Sequence, residues 1–190
     1  MNEPEFPATS NAVVWLRPIQ PEDYPFLRAT ELTGEIGARW RFRGSTPSPE
    51  QWSQSTWSNA LAQFIVMSVE HNQAIGLVSL YDPNFQDGFA SVAVSKFSTE
   101  DSSLRIMSAT LLFLEYAFTN WRFRKLYFDV PEFNLGQFSG ALKSHLRTEA
   151  QLKDHMFAAG RYWDRFTLSI FREQWEKSRF EFRALIGDQP

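Results

Sequence analysis

The run Arg39-Trp40-Arg41-Phe42-Arg43-Gly44 interleaves three guanidinium groups with two aromatic rings inside six residues. Arginine forks pair with carboxylates and carbonyls and stack on ring faces. Such a run can grip a peptide backbone, a carboxylate or an aromatic compound; it also reads as a surface loop anchored by Trp40 and Phe42. A second chemical signal is Ser98-Thr99-Glu100-Asp101, whose hydroxyls and carboxylates suit the first turn of a helix. His71, His145 and His155 are far apart and show no metal-ligand spacing, so no metal is expected. Asp87, Asp129 and Glu132 read as solvated acids, and Asp164 as a structural hydrogen-bonding group. The absence of cysteine excludes disulfides, thiolate metal sites and a thiol nucleophile.

The elements that must position these groups follow from periodicity. Val13–Ile19 is β-prone, and Pro21-Glu22-Asp23 opens a helix with Tyr24, Leu27 and Leu32 as its apolar stripe. Glycines and prolines make Ala38–Ser48 a loop, and Ser48-Pro49-Glu50 starts a second helix carrying Trp52, Thr56, Trp57 and Leu61. Phe64–Val69, Ala74–Tyr81 and Phe89–Lys96 then form an antiparallel meander with turns at His71-Asn72-Gln73 and Asp82-Pro83-Asn84. Leu104, Met107, Leu111, Leu114 and Phe118 keep a helical period over a long helix. Lys125–Val130 is a strand, Gln137–His145 a short helix, and Gln151–Phe157 with Tyr162–Phe171 a hairpin turning at Ala158-Ala159-Gly160. Trp175 and Phe182 mark a terminal helix. Helices interleaved with a mostly antiparallel sheet make the fold class α+β (mixed α/β).

Composition narrows the function classes. The 190 residues carry a formal charge of −3 with scattered cations, which argues against a nucleic-acid partner. Aromatic residues make up 16%, too many for a disordered chain. No apolar run approaches the ~18 residues of a membrane span, and Met1–Glu5 lacks the character of a secretory signal. The expectation is a cytoplasmic protein without membrane contact: a flexible arm over 1–12 and one domain over 13–190.

Three stretches carry a resemblance. Leu16-Arg17-Pro18 with Pro21-Glu22-Asp23, then Leu111–Phe118 (LLFLEYAF), then Asn134 and Arg147-Thr148-Glu149 through Gly160-Arg161-Tyr162-Trp163-Asp164 to Trp175 are similar in order and spacing to the GNAT superfamily of acyl-CoA-dependent N-acyltransferases. The likeness spans Val14 to Trp175, and the closest branch is the RimJ/RimL type. It implies a GNAT-like domain in which Phe89–Lys96 and Lys125–Val130 splay into a V-shaped slot. Acetyl-CoA, or another acyl-CoA, would lie there against the backbone of Val92, Ala93 and Val94. Its pyrophosphate would sit on the long helix's N-terminus at Ser102, Ser103, Leu104, Arg105 and Ile106, where free N–H groups favour anions.

The resemblance also implies roles at the reacting centre. Asn134 aligns with an asparagine that follows the second slot strand, and Ser139 is the nearest available hydroxyl; these are the catalytic candidates. The tyrosine that many members carry falls at Ala141, and the branch's serine at Gln137. Arg39, Trp40, Arg41, Phe42, Arg43 and His155 would line the acceptor site. The family loop Gln/Arg-x-x-Gly-x-Gly/Ala falls on Asp101-Ser102-Ser103-Leu104-Arg105-Ile106, an acid and two bulky residues where an amide or base and two small residues are usual. Either main-chain N–H groups still cradle the phosphates, or the segment is an N-cap over an abandoned site. The function implied is an N-acetyltransferase acting on an amine, the N-terminal amine of a peptide or an amine-bearing metabolite, working as a monomer or homodimer. The alternative is a catalytically silent module that binds a ligand or partner.

Overall fold

A computed structural model describes residues 6–33, 41–98, 103–138 and 145–185. Seven strands form one sheet in the order β1-β2-β3-β4-β5-β7-β6. They are β1 (Val14–Pro18), β2 (Ala60–Ser68), β3 (Ala74–Asn84), β4 (Phe89–Lys96), β5 (Lys125–Pro131), β6 (Arg147–Ala158) and β7 (Arg161–Phe171). Every pairing is antiparallel except β4 with β5. Four described α-helices accompany it: α1 (Tyr24–Leu32), α2 (Pro49–Trp57), α3 (Ser103–Asn120) and α4 (Arg172–Leu185). Short 3-10 helices cover Pro21–Asp23 and Glu132–Phe138. The α+β architecture expected from the pattern is the one observed.

Period-two alternation divides the strands between two cores. Leu16, Val66, Val78, Val92, Leu126, Phe128, Val130 and Ile170 meet α3 on one face, with Trp175 of α4 closing the cluster. Ile65, Met67 and Leu77 meet Leu27 of α1 and Trp52 of α2 on the other. From Ser108 to Leu114 every α3 side chain is buried, because the helix is covered beyond its sheet-facing stripe. Leu104, expected as the first residue of that stripe, is instead 69% exposed, since it lies before the point where the helix is enclosed.

Local chemistry explains the element ends. Ser48 Oγ accepts from Gln51 N–H at 3.3 Å while Gln51 Oε1 accepts from Ser48 N–H at 3.0 Å, a reciprocal cap on α2. The β6–β7 hairpin turns through Ala159 (φ 50) and Gly160 (φ 79), the two left-handed positions such a turn demands. The expected turn at Asp82-Pro83-Asn84 lies inside β3 instead. Asp82 takes φ 48 in an irregularity that lets the strand carry a proline, and the chain reverses at 85–88, closed by Gly88 N–H to Asn84 O at 2.9 Å. Most of the short helix expected over Gln137–His145 lies outside the described residues. At the amino end, Leu16 N–H donates to Thr9 O and Asn11 Nδ2 to Ser108 Oγ.

Candidate functional site

The strands flanking α3 part company. β4 pairs with β5 only at Phe89–Lys125, Ala90–Leu126 and Ser91–Tyr127. Beyond that level β5 stays on β7 as far as Pro131, and β4 stays on β3 as far as Lys96. The segment Val92–Lys96 thus has no β5 partner, and the two strands open into a slot. Phe97 N–H donates to Ile75 O at 2.9 Å. In an antiparallel ladder bonded pairs alternate, so Ser95, Ala93 and Ser91 direct their main-chain groups to β3. Val92, Val94 and Lys96 direct theirs into the slot. Of the three residues expected to hold a cofactor arm, Val92 and Val94 therefore present backbone to it, and Ala93 does not.

The first turn of α3 stands beside the slot. Ser103, Leu104, Arg105 and Ile106 lie in it, with no acidic side chain among its described residues; Ser102 and Asp101 lie outside the described residues. Leu104 points to solvent, and Ile106 leans onto β3 over Gly76, where a Cβ would lie only 2.9 Å from its Cδ1. Neither bulky side chain needs the space between β4 and β5. Arg105 is engaged: its guanidinium bonds the Glu70 carboxylate in the β2–β3 turn, and His71 Nε2 lies 3.6 Å from the same carboxylate.

On the face of α1 and α2, the divergence exposes a polar row. By register Ala93 would stand opposite Asp129, two residues beyond the last paired level, Ser91–Tyr127. The Asp129 carboxylate accepts from Thr167 Oγ1 at 2.9 Å and from the Arg165 guanidinium. The Tyr81 hydroxyl, bonded to Ser91, is pushed above its ordinary pKa by burial first and then by Asp129 and Asp82. It therefore stays protonated at neutral pH, a donor and no base. Asp129 is thus more than the solvated acid expected of it. Further along β5, Lys125 Nζ lies 2.6 Å from Glu149 Oε2, and Ser169 Oγ donates to Glu149 Oε1 at 2.6 Å.

The other expected residues are dispersed. Asn134 is half-buried in the 3-10 helix that follows β5; Ser139 lies outside the described residues. Arg39 and Trp40 also lie outside them. Arg41 reaches Ser55 O and Gln63 Oε1, both at 3.4 Å, and Gln63 is itself buried against Ser79 and Thr56. Phe42 packs on the α1–α2 core, and exposed Arg43 takes φ 46. His155 lies on β6 with Nε2 3.4 Å from Arg165 Nη1, which ties it to the Asp129 row. Asp164 accepts from Gln151, Lys153 and Asp154 N–H, pinning the bulge of β6. The alternation that marks Leu126, Phe128 and Val130 as core equally puts Tyr127 and Asp129 on the opposite face, a signal that the sequence reading left unused.

The fold of this chain is similar to those of solved acetyltransferase structures. Chimeric Vibrio cholerae spermidine N-acetyltransferase SpeG matches with TM-score 0.70 and 21% identity, over 86% of this chain and 98% of that one. A GCN5-related N-acetyltransferase from Brucella melitensis gives 0.72 and 18%, over 97% and 87%. Vibrio cholerae spermidine N-acetyltransferase in complex with CoA and spermine gives 0.68 and 17%, over 87% and 99%. The domain has the GNAT fold. No family model and no curated protein matches the sequence. No described helix is long and apolar enough to cross a membrane.

Proposed function

We propose that this chain is an acyl-CoA-dependent N-acyltransferase, with acetyl-CoA as donor and a primary or secondary amine as acceptor. The observation that carries this reading is the unpaired edge of β4. Val92 and Val94 direct N–H and C=O groups into a slot that no neighbouring strand fills among the described residues, a donor and acceptor set suited to the amides of a pantetheine arm. These groups, with the first-turn N–H groups of α3, would hold the cofactor. When bound, it supplies an acyl group activated as a thioester.

The chain's own residues would do the rest. Asp129, at the mouth of the slot and fixed by Arg165 and Thr167, would accept a further hydrogen bond from an amine N–H and orient it. Tyr81, kept protonated, offers a hydrogen bond to developing negative charge. Asn134, with Ser139, is the proposed partner at the reacting centre, and Arg41, Phe42 and Arg43 the proposed acceptor loop. Acceptors to try are peptide α-amines of the RimJ/RimL kind, amine-bearing metabolites and, because similar structures include spermidine acetyltransferases, polyamines. A cytoplasmic monomer or homodimer fits this reading.

A second reading, a silent binding module, is favoured by the engagement of Arg105 with Glu70 in place of a phosphate. Calorimetric titration with acetyl-CoA, followed by thiol release across an amine panel, separates the two. Saturable binding with turnover is the expected result. No heat at millimolar cofactor would refute the enzyme.

A further inference from the structure

At the end of the sheet remote from the slot, Arg122, Arg124, Arg147, Arg172 and Lys177 line one cleft of about 690 Å³ together with Phe123, Phe171, Glu173 and Gln174. Five cations face one carboxylate in a chain whose overall charge is −3. The cleft is built where β5 begins and β7 ends, Lys125 pairing with Phe171. The slot opens where β4 and β5 part beyond Tyr127, about 10 Å along β5 from Lys125 at ~3.3 Å per residue, and widens away from the cleft.

The cations are not all committed to the fold. Arg172 is: Nε donates to Phe123 O at 2.7 Å and Nη2 to Trp121 O at 2.6 Å. Arg124 donates only Nε, to Asp87 O at 2.8 Å. Arg147 lays its guanidinium over the Phe171 ring at 4.7 Å, leaving its N–H edges outward. Exposed Arg122 and Lys177 have no carboxylate within ion-pair distance among the described residues. The Gln174 side-chain oxygen, in the same wall, is buried without a donor among the described residues. Turning that amide about its axis puts an N–H₂ in its place.

Like charges gathered in a concavity repel one another unless an anion joins them. Four of the five are arginines, whose forks match the paired oxygens of phosphate. We propose that this cleft binds a compact organic polyphosphate, a nucleoside polyphosphate or an inositol polyphosphate, separately from the slot. The proposal stands whether or not the chain is an acyltransferase.

The test is calorimetric titration of the full chain with inorganic tripolyphosphate, ATP and inositol hexakisphosphate, the cleft variants below separating this site from the slot. A single-stranded RNA and an acidic peptide serve as comparators. Binding of at least one small polyphosphate is expected, weakening steeply when salt is raised to about 0.3 M. Arg122→Gln, Arg147→Gln and Lys177→Gln combined are expected to weaken it at least about tenfold, with acetyl-CoA binding unmoved. Lys177→Glu alone, should the triple variant unfold early, is expected to weaken it about fivefold or more. Tripolyphosphate matching ATP assigns recognition to the phosphates; tighter ATP adds a contact to the base, and both outcomes support the site. No binding at millimolar ligand, binding unchanged in the variants, or RNA or acidic peptide binding more than about tenfold tighter would each overturn it.

Discussion

Gly76 is the position where a single methyl group should do most harm. A Cβ there would lie 2.5 Å from the Ser95 carbonyl oxygen and 2.9 Å from Ile106 Cδ1. The Ile106 methyl is the end of a flexible side chain, but Ser95 O is backbone on β4, the strand that walls the slot. Overpacking costs about 1–3 kcal/mol, and a main-chain obstacle puts Gly76→Ala near the upper end. Alanine restricts the unfolded chain and returns up to about 1 kcal/mol. The net loss is then about 2 kcal/mol, or about 4–8 °C in Tm for a domain of this length. Urea unfolding followed by tryptophan fluorescence measures the first and thermal unfolding the second. Adding Ile106→Val, which removes Cδ1, should recover less than half of the loss, because the clash with Ser95 O remains. A Gly76→Ala protein within about 0.5 kcal/mol of the parent would refute the reasoning, and so would full rescue by Ile106→Val.

Three further outcomes follow from named contacts. Burial opposes ionisation of Glu149, but bonds from Lys125 and Ser169 outweigh it and hold its carboxyl below the ordinary value; the Lys125 ammonium, likewise opposed by burial, is held above its own. The carboxylate's contribution is therefore present above about pH 4.3 and lost as pH falls through its lowered pKa; the ammonium's is present below about pH 10.4 and lost as pH rises through its raised one. Glu149→Gln should cost about 1–3 kcal/mol at neutral pH and flatten both limbs of a plot of urea midpoint against pH; two unchanged limbs would show that the pair is not their source. On the proposed reading, Tyr81→Phe should lower kcat about tenfold or more with acetyl-CoA affinity unmoved, and an unchanged kcat would reduce the hydroxyl to a structural role. Glu70→Gln should free Arg105 and tighten acetyl-CoA several-fold, whereas unaltered calorimetric affinity would place the phosphates away from α3.

Where one physical signal dominated, the sequence was legible. β4 matched residue for residue because Phe89–Lys96 is β-prone throughout and flanked by clear breaks. The α2 start was legible because Ser48, Pro49 and Gln51 make a local cap that needs no tertiary partner. Leu104 misled because periodicity reports a helical face, not how far the neighbouring elements extend over it. Asp82-Pro83 misled because a left-handed aspartate can absorb a proline without turning the chain. The polar row was hidden for a different reason. Tyr81, Asp129 and Arg165 come from three strands, and only the registers of β3–β4–β5–β7 bring them together.

The substitution of bulky residues into the expected glycine loop takes on a different meaning once Gly76 is considered. By resemblance, small residues belong at Leu104 and Ile106, so large ones there suggest a closed site. Yet Leu104 faces water, and Ile106 occupies the space that Gly76 leaves empty on β3. What the helix gains in bulk the strand beneath it gives up, so the slot beyond Ser91 stays open with no glycine in the first turn of α3. Charge follows the same logic: Arg105 is present but turned onto Glu70, so electrostatics at this end of the slot depend on a partner 35 residues away in sequence. Bulk at Leu104 and Ile106, which looks obstructive in the helix's own sequence, is thus taken up by solvent and by the space over Gly76, and Arg105 answers to Glu70 in the β2–β3 turn.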